Sequence, residues 1–222
     1  MKITSAATLL ALPLLAACAP QVETTIYLSD VQKVLSTGTA LATPAQLRIP
    51  QSSEDDCKKG LDALVEKVKT LAPVTGKAQC IESDGDALAE VTMSLQIVTP
   101  QSAIAEPNLL ALVAAPDTDG NIALSIHMLK PIGDVIKALA SDDSFSTDFD
   151  PTKFTMHVNN DTGADVDALP GEVMLDNEPR LAVDPPITIA HRQDVRIEFN
   201  DVAAAYAERG QPYQFIAVAL PK

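Results

Sequence analysis

Apolar residues recur along the chain with two periods, and each predicts a different kind of element. Val91, Met93, Leu95 and Ile97 alternate with Thr92, Ser94 and Gln96, the pattern of a strand with one apolar and one wet face. The same alternation returns at Ile122, Leu124, Ile126 and Met128, and again at Phe154, Met156 and Val158. Cys57, Leu61, Leu64, Val65, Val68 and Leu71 are spaced instead along one face of a helix. Ser53 and the acidic run Glu54-Asp55-Asp56 open that helix at its positive end, and Pro73 closes it.

Caps and turn residues divide the rest. Ser29 and Gln32 have the spacing of a capping box for a short helix that Gly38 stops, after a strand at 26–28. A strand at 45–49 sits between Pro44 and Pro50, and a helix is predicted at 132–139. Hairpins are predicted at 78–81 with 88–98, at 109–114 with 122–129, and at 187–190 with 195–199. Residues 159–170 read as a polar loop. Asn200 caps a helix at 201–209, Gly210 stops it, and 213–220 is a final strand. The order strand, cap, Asp, Val occurs at both 26–31 and 197–202; any strand running into a capped helix selects that chemistry, so it does not by itself indicate duplication. The sum is an α+β domain over 26–222: mainly antiparallel β-hairpins, short helices packed on one face, the other face solvated. Residues 99–107 are the place where it could divide in two.

Composition narrows the partners. Hydrophobic residues make up 46% of the 222, enough for a core. Against 16 Lys and Arg stand 30 Asp and Glu, a net charge of −14 that repels nucleic acid and anionic headgroups alike. With no Trp and 4% aromatic residues, a stacking platform for bases or sugars is poorly provided for.

The amino terminus adds an address. Lys2 precedes an uncharged run from Ile3 to Ala17, shorter than the ~20 apolar residues a membrane-crossing helix needs. It closes with Leu15-Ala16-Ala17-Cys18, which resembles the lipobox of bacterial lipoproteins. The resemblance implies that residues 1–17 are a signal peptide, that Cys18 is lipidated and becomes the first residue, and that 18–25 form anchor and tether. Residues 19–25 would reach ~23 Å when extended. By the sorting rule for lipoproteins of Gram-negative bacteria, Ala19 after the cysteine, rather than Asp, implies the outer membrane, and the expected place is its periplasmic face. The rival is a secreted protein in which Cys18 is incidental. Residues 25–32 and the later cysteine pair also resemble small lipoproteins of unknown role carried by bacteria and their prophages, a likeness that brings no activity.

Cys57 and Cys80 remain once Cys18 is spent. In an oxidising compartment an even pair reads as a disulfide, here closing about 24 residues and contributing ~3.5 kcal/mol in the chain-entropy model. Free redox thiols lack the C-x-x-C spacing, and a metal site lacks nearby ligands.

Candidate chemistry is sparse. His127 and His157 fall out of phase with their apolar neighbours and should face water; they could share a metal only if their strands are adjacent. His191 lies in a turn. The sequence has no nucleophile elbow, H-E-x-x-H helix or glycine-rich phosphate loop. Asp117-Thr118-Asp119-Gly120-Asn121 lacks the sixth-position glycine and distal Glu of a calcium loop, and the acidic run from Asp161 to Asp167 offers at best a weak one. No catalytic residue, metal or cofactor is therefore assigned. The expectation is a non-enzymatic envelope lipoprotein, a binding or accessory subunit held to the membrane through Cys18 with an envelope protein as partner. Its rivals are a carrier of a small hydrophobic ligand, a prophage-encoded factor that blocks a surface receptor, and a hydrolase.

Overall fold

Val22, Thr24 and Ile26 are buried and Gln21, Glu23 and Thr25 are not, so a two-faced strand is already in place near the start of the described chain. The structure, a computed structural model, describes residues 19–83, 85–129 and 152–221. Residues 1–17, Cys18 and the helix expected at 132–139 lie outside the described residues. Strand β1 spans Gln21–Tyr27, which corrects the expected tether: Ala19 is 3% exposed, and residues 21–25 belong to the sheet. Apolar Val22 and Ile26 face the core on either side of Thr24, whose hydroxyl finds a partner, so burial outweighs the local polarity that suggested a linker.

After β1 come α1 (Leu28–Thr37), β2 (Leu41–Gln51), α2 (Glu54–Lys69), β3 (Val74–Ser83), β4 (Asp86–Val98), β5 (Leu110–Pro116) and β6 (Ile122–Met128). Then follow β7 (Lys153–Asn159), β8 (Val166–Pro170), β9 (Met174–Leu175), β10 (Glu178–Pro179), β11 (Ile187–Ile189), β12 (Asp194–Glu198), α3 (Asp201–Glu208) and β13 (Tyr213–Val218). The domain is mostly β, with 47% strand and 19% in three short helices among the described residues. The strands make one mixed sheet in the order β10-β9-β12-β7-β1-β2-β4-β5-β6-β13-β8-β11, with β3 beside β4. Most neighbours are antiparallel, but β1 with β7 and β4 with β5 are parallel. Gln96 pairs with Ala111 across the predicted dividing region, and one hydrophobic cluster runs from Val22 to Val218.

Two expectations are corrected at one place. Residues 187–190 and 195–199 are not a hairpin: β11 pairs with β8, whereas β12 pairs with β7 and β9. The predicted loop 159–170 likewise contains β8. The paired register Asn159↔Asp194 is followed, beyond a break, by Val166↔Ile189. The two segments thus form one long antiparallel ribbon bent at a corner. Buried Asn160 holds the corner. Its N–H donates to the Gln193 carbonyl, its own carbonyl accepts from Arg192 N–H, and its amide donates to Ile189 and Ala164. Arg192, at φ 66, supplies the left-handed residue. One arm of the ribbon lies against β1 and the other against β13, which makes the sheet curl.

Proline explains another boundary. The β1–β2 ladder ends at Thr24↔Ala45, next to Pro44, which has no N–H to give. Thr24 Oγ1 donates to the Pro44 carbonyl and Thr43 Oγ1 to that of Thr25, replacing the ladder by side-chain bonds.

All three helices contribute buried side chains to the common core. Ser53 accepts from Asp56 N–H at the start of α2, and Asn200 accepts from Ala203 N–H at the start of α3. The start of α1 differs from expectation. The helix begins at Leu28, so Ser29 lies inside its first turn and is no cap; the Asp161 carboxylate accepts from both Ser29 N–H and its hydroxyl. Gln32 donates to the Pro221 carbonyl instead of closing a capping box. The end of the sheet where β1 begins is termed the lower end, and the end where β1 finishes, at α1, the upper.

Candidate functional site

The outer face of the sheet carries a row of polar side chains bonded from strand to strand. Gln79 on β3 donates to Glu90 on β4 at 2.8 Å. Arg48 on β2 reaches Glu90 at 2.8 Å, Gln46 at 2.5 Å and Glu23 on β1 at 2.6 Å. His157 on β7 stands between Glu23, 3.0 Å from Nε2, and Asp194 on β12, 3.1 Å from Nδ1. Whichever ring nitrogen carries the proton has an acceptor. The register makes the row possible, because Arg48 lies opposite both Gln21 and Glu90. Burial opposes the Arg48 charge, but its bonds to Glu90 and Glu23 outweigh that and raise its pKa above the ordinary value. Cross-strand pairs of this kind align neighbouring strands.

Where the row meets the lower end there is a pocket of about 360 Å³, lined by Arg48, Lys153, Arg196, Glu23, Glu198 and Asp201 among others. Arg196 is held by Glu198 and by Asn177 Oδ1. Both charge signs line this pocket, and most of its charged groups already bond to protein. Beside it, at α3, Glu172, Asp201, Val202, Tyr206 and Tyr213 border a second pocket of about 590 Å³. A third, about 750 Å³, lies at the upper end between α1 and the chain near Leu220 and Pro221.

The structure separates the sequence candidates. His127 is on β6 and His157 on β7, which are not neighbours, so no metal is shared between them. His191 Nδ1 accepts from Gly163 N–H, and the backbone N–H of His191 donates to the Asp165 carboxylate. The carboxylates of the two acidic loops serve as turn and strand fasteners. Asp117 accepts from Asp119 and Asn121 N–H, and Asp167 from the Thr188 hydroxyl. No group of three or more His, Cys, Asp or Glu among the described residues is placed to hold a metal ion. Cys57 and Cys80 are joined as a disulfide, Cα to Cα 6.0 Å, which ties the start of α2 to β3. No helix among the described residues is long and apolar enough to cross a membrane.

Residues 20–222 match the family model described as "Domain of unknown function (DUF7424)". The chain belongs to that family. No curated protein and no solved structure matches it. The DUF7424 region begins at Pro20, one residue before β1, and the Pro20 carbonyl accepts from Lys153 N–H at 2.8 Å.

The polar row of this DUF7424 domain is what sequence reasoning missed, apart from His157. Glu23 and Arg48 each sit out of phase with buried neighbours, and that much was a signal. Their meeting depends on β1 lying between β7 and β2, which no local pattern encodes.

Proposed function

We propose that the chain is a membrane-anchored envelope lipoprotein, a non-enzymatic binding or accessory subunit carried on the periplasmic face of the outer membrane. The observation that carries this reading is where the folded domain starts. Ala19 is buried and β1 begins at Gln21, so removal of residues 1–17 would leave the domain whole and put the proposed lipid on the residue next to it. The family match, which starts at residue 20, supports a domain that begins close after Cys18. Two or three acyl chains, at ~0.8 kcal/mol per buried CH₂, would hold such a domain permanently.

The polar groups support a binding role over a chemical one, since His157, Arg48, Asp161 and Asp167 are engaged in holding the fold. A hydrophobic ligand carrier is the weaker reading. Phe154, Phe215, Met93 and Leu95 fill the interior, and the pockets beside α1 and α3 that an apolar ligand could use are open surface ones.

The test is mass spectrometry of protein extracted from membranes, where a diacylglyceryl group on Cys18 is expected and Cys18→Ser should release the protein unprocessed or soluble. Normal processing and unchanged attachment of Cys18→Ser would defeat the reading. Crosslinking in intact cells should recover a protein of the envelope.

A further inference from the structure

The lower end carries exposed apolar side chains on the outer side of its helix. Helix α3 lies across it with Ala203, Ala204 and Ala207 turned into the core, so its opposite side points away from the sheet. That side carries Val202, 81% exposed, and Tyr206, 48% exposed, at i and i+4. Leu181 and Val183, 57% and 88% exposed, leave β10 just beyond Arg180, whose N–H bonds to Val173 at the same end. Six large hydrophobic side chains are exposed among the described residues; two of them are on α3, and Leu181 and Val183 follow β10, whose partner β9 pairs with β12, the strand that leads into α3. Of the other two, Tyr27 ends β1 at the upper end and Leu169 lies on β8.

The chain start is fixed to this face. Pro20 bonds to Lys153 N–H at 2.8 Å, and the neighbouring Thr152 N–H donates to Glu208 of α3 at 2.7 Å. Phe199, just before α3, donates its N–H to the Phe154 carbonyl, and Phe154 pairs with Val22. With Ala19 and Pro20 buried, no slack separates residue 18 from the domain, since each residue adds at most ~3.6 Å of reach.

We infer that the α3 face is a lipid-docking surface: with acyl chains on Cys18, Val202, Tyr206, Leu181 and Val183 rest in the headgroup–acyl boundary and the α1 end points away from the bilayer. The inference rests on the proposed lipidation. The lipid supplies the affinity and the face sets the orientation. Tyr is suited to this depth, with an apolar ring and a polar tip. Lys153, Arg180 and Arg209 border the same end and can meet lipid phosphates; Glu172 and Asp201, which line the pocket beside Val202 and Tyr206, would have to stay in the hydrated headgroup layer.

The absence of Trp makes a clean test available. Tyr206→Trp and Tyr27→Trp each give a single reporter, one at each end, in lipidated protein reconstituted into vesicles of brominated phosphatidylcholine. Folding of both is checked by a cooperative thermal transition. In vesicle-bound protein, the reporter at position 206 should shift to shorter wavelength and lose about half or more of its emission, as expected for burial ~5–10 Å into the boundary. The reporter at position 27 should keep the emission it has in plain vesicles. Equal quenching at both positions, or none at 206 while the protein floats with the vesicles, overturns the orientation and leaves lipidation standing. An emission at 206 that is already blue-shifted in soluble Cys18→Ser protein and is unchanged on vesicles means that protein covers this face, which also overturns it. Protein that carries no acyl mass on Cys18 and does not float defeats the lipoprotein reading itself.

Discussion

The two ends of the curled sheet are both closed by a helix that follows a strand, yet they are built differently. At the upper end, α1 buries Leu28, Val31 and Val34 and turns polar Lys33, Ser36 and Thr37 outward, as a helix facing water does. At the lower end, α3 buries only alanines and exposes Val202 and Tyr206. The cap of α1 comes from Asp161, far away in sequence; that of α3 comes from its own Asn200. The disulfide also belongs to the lower end, since Cys80 pairs with Ala89, beside Ile49 at the finish of β2. One end thus takes its helix cap from a distant residue and turns polar side chains outward. The other carries the disulfide, caps its helix from the adjacent Asn200, and exposes Val202 and Tyr206.

The sharpest way to break the contrast is to remove what α3 rests on. Phe154 is 1% exposed and meets the Phe199 ring at 5.4 Å; Phe199 in turn meets Phe215 at 5.8 Å. Phe154→Ala should cost about 3–5 kcal/mol in chemical denaturation and loosen α3 first. A loss below about 1 kcal/mol would mean that this cluster does not support the lower end. Replacing both Cys57 and Cys80 by Ala should cost about 3.5 kcal/mol, mainly through freedom regained by the unfolded chain. Hydrogen exchange would then show β3 and the start of α2 opening ahead of β5 and β6; uniform loosening would contradict a staple confined to one side.

The contrast also marks how far the sequence could be read. Alternation at Val91–Ile97 and Ile122–Met128, the caps at Ser53 and Asn200, and the cysteine pair were legible because each is decided by neighbours along the chain or by chemistry that tolerates few alternatives. Asp161 as the partner of Ser29 was not legible, because 132 residues separate them. The corner at Asn160 was misread for a similar reason. A short polar segment between two apolar runs has the composition of a hairpin turn, and only the register of the opposite strand shows that the chain bends without reversing. The polar row through Arg48 and His157 depends on that same arrangement, so the candidate site was harder to read than the fold.

A smaller test separates the two capping schemes. Asp161→Ala and Asn200→Ala should each cost about 1 kcal/mol, the usual loss of a helix cap. Ser29→Ala should be strongly coupled to Asp161→Ala in a double-mutant cycle and additive with Asn200→Ala. Coupling across the two ends would show that they do not behave independently. Gln32→Ala should not weaken the start of α1, since its side chain bonds to Pro221.

The smallest expected effect concerns how dry the lower end is. Tyr213 packs against Phe199 at 5.1 Å, and its hydroxyl donates to the Glu172 carbonyl at 2.8 Å. Burial, with a lesser push from the Glu172 charge, raises the Tyr213 pKa above its ordinary 10.0. A raised phenol pKa favours the protonated form in the folded state. Its contribution to stability is therefore complete below the ordinary value and is lost as pH climbs through the raised one, because the unfolded chain gives up the proton more readily. Tyr213→Phe should cost about 1 kcal/mol at neutral pH through the missing hydrogen bond. The variant should then lose less stability between neutral and alkaline pH than the parent, read as melting temperature against pH. An equally steep alkaline decline in the variant would show that Tyr213 is hydrated, and that the lower end differs from the upper in shape without being drier.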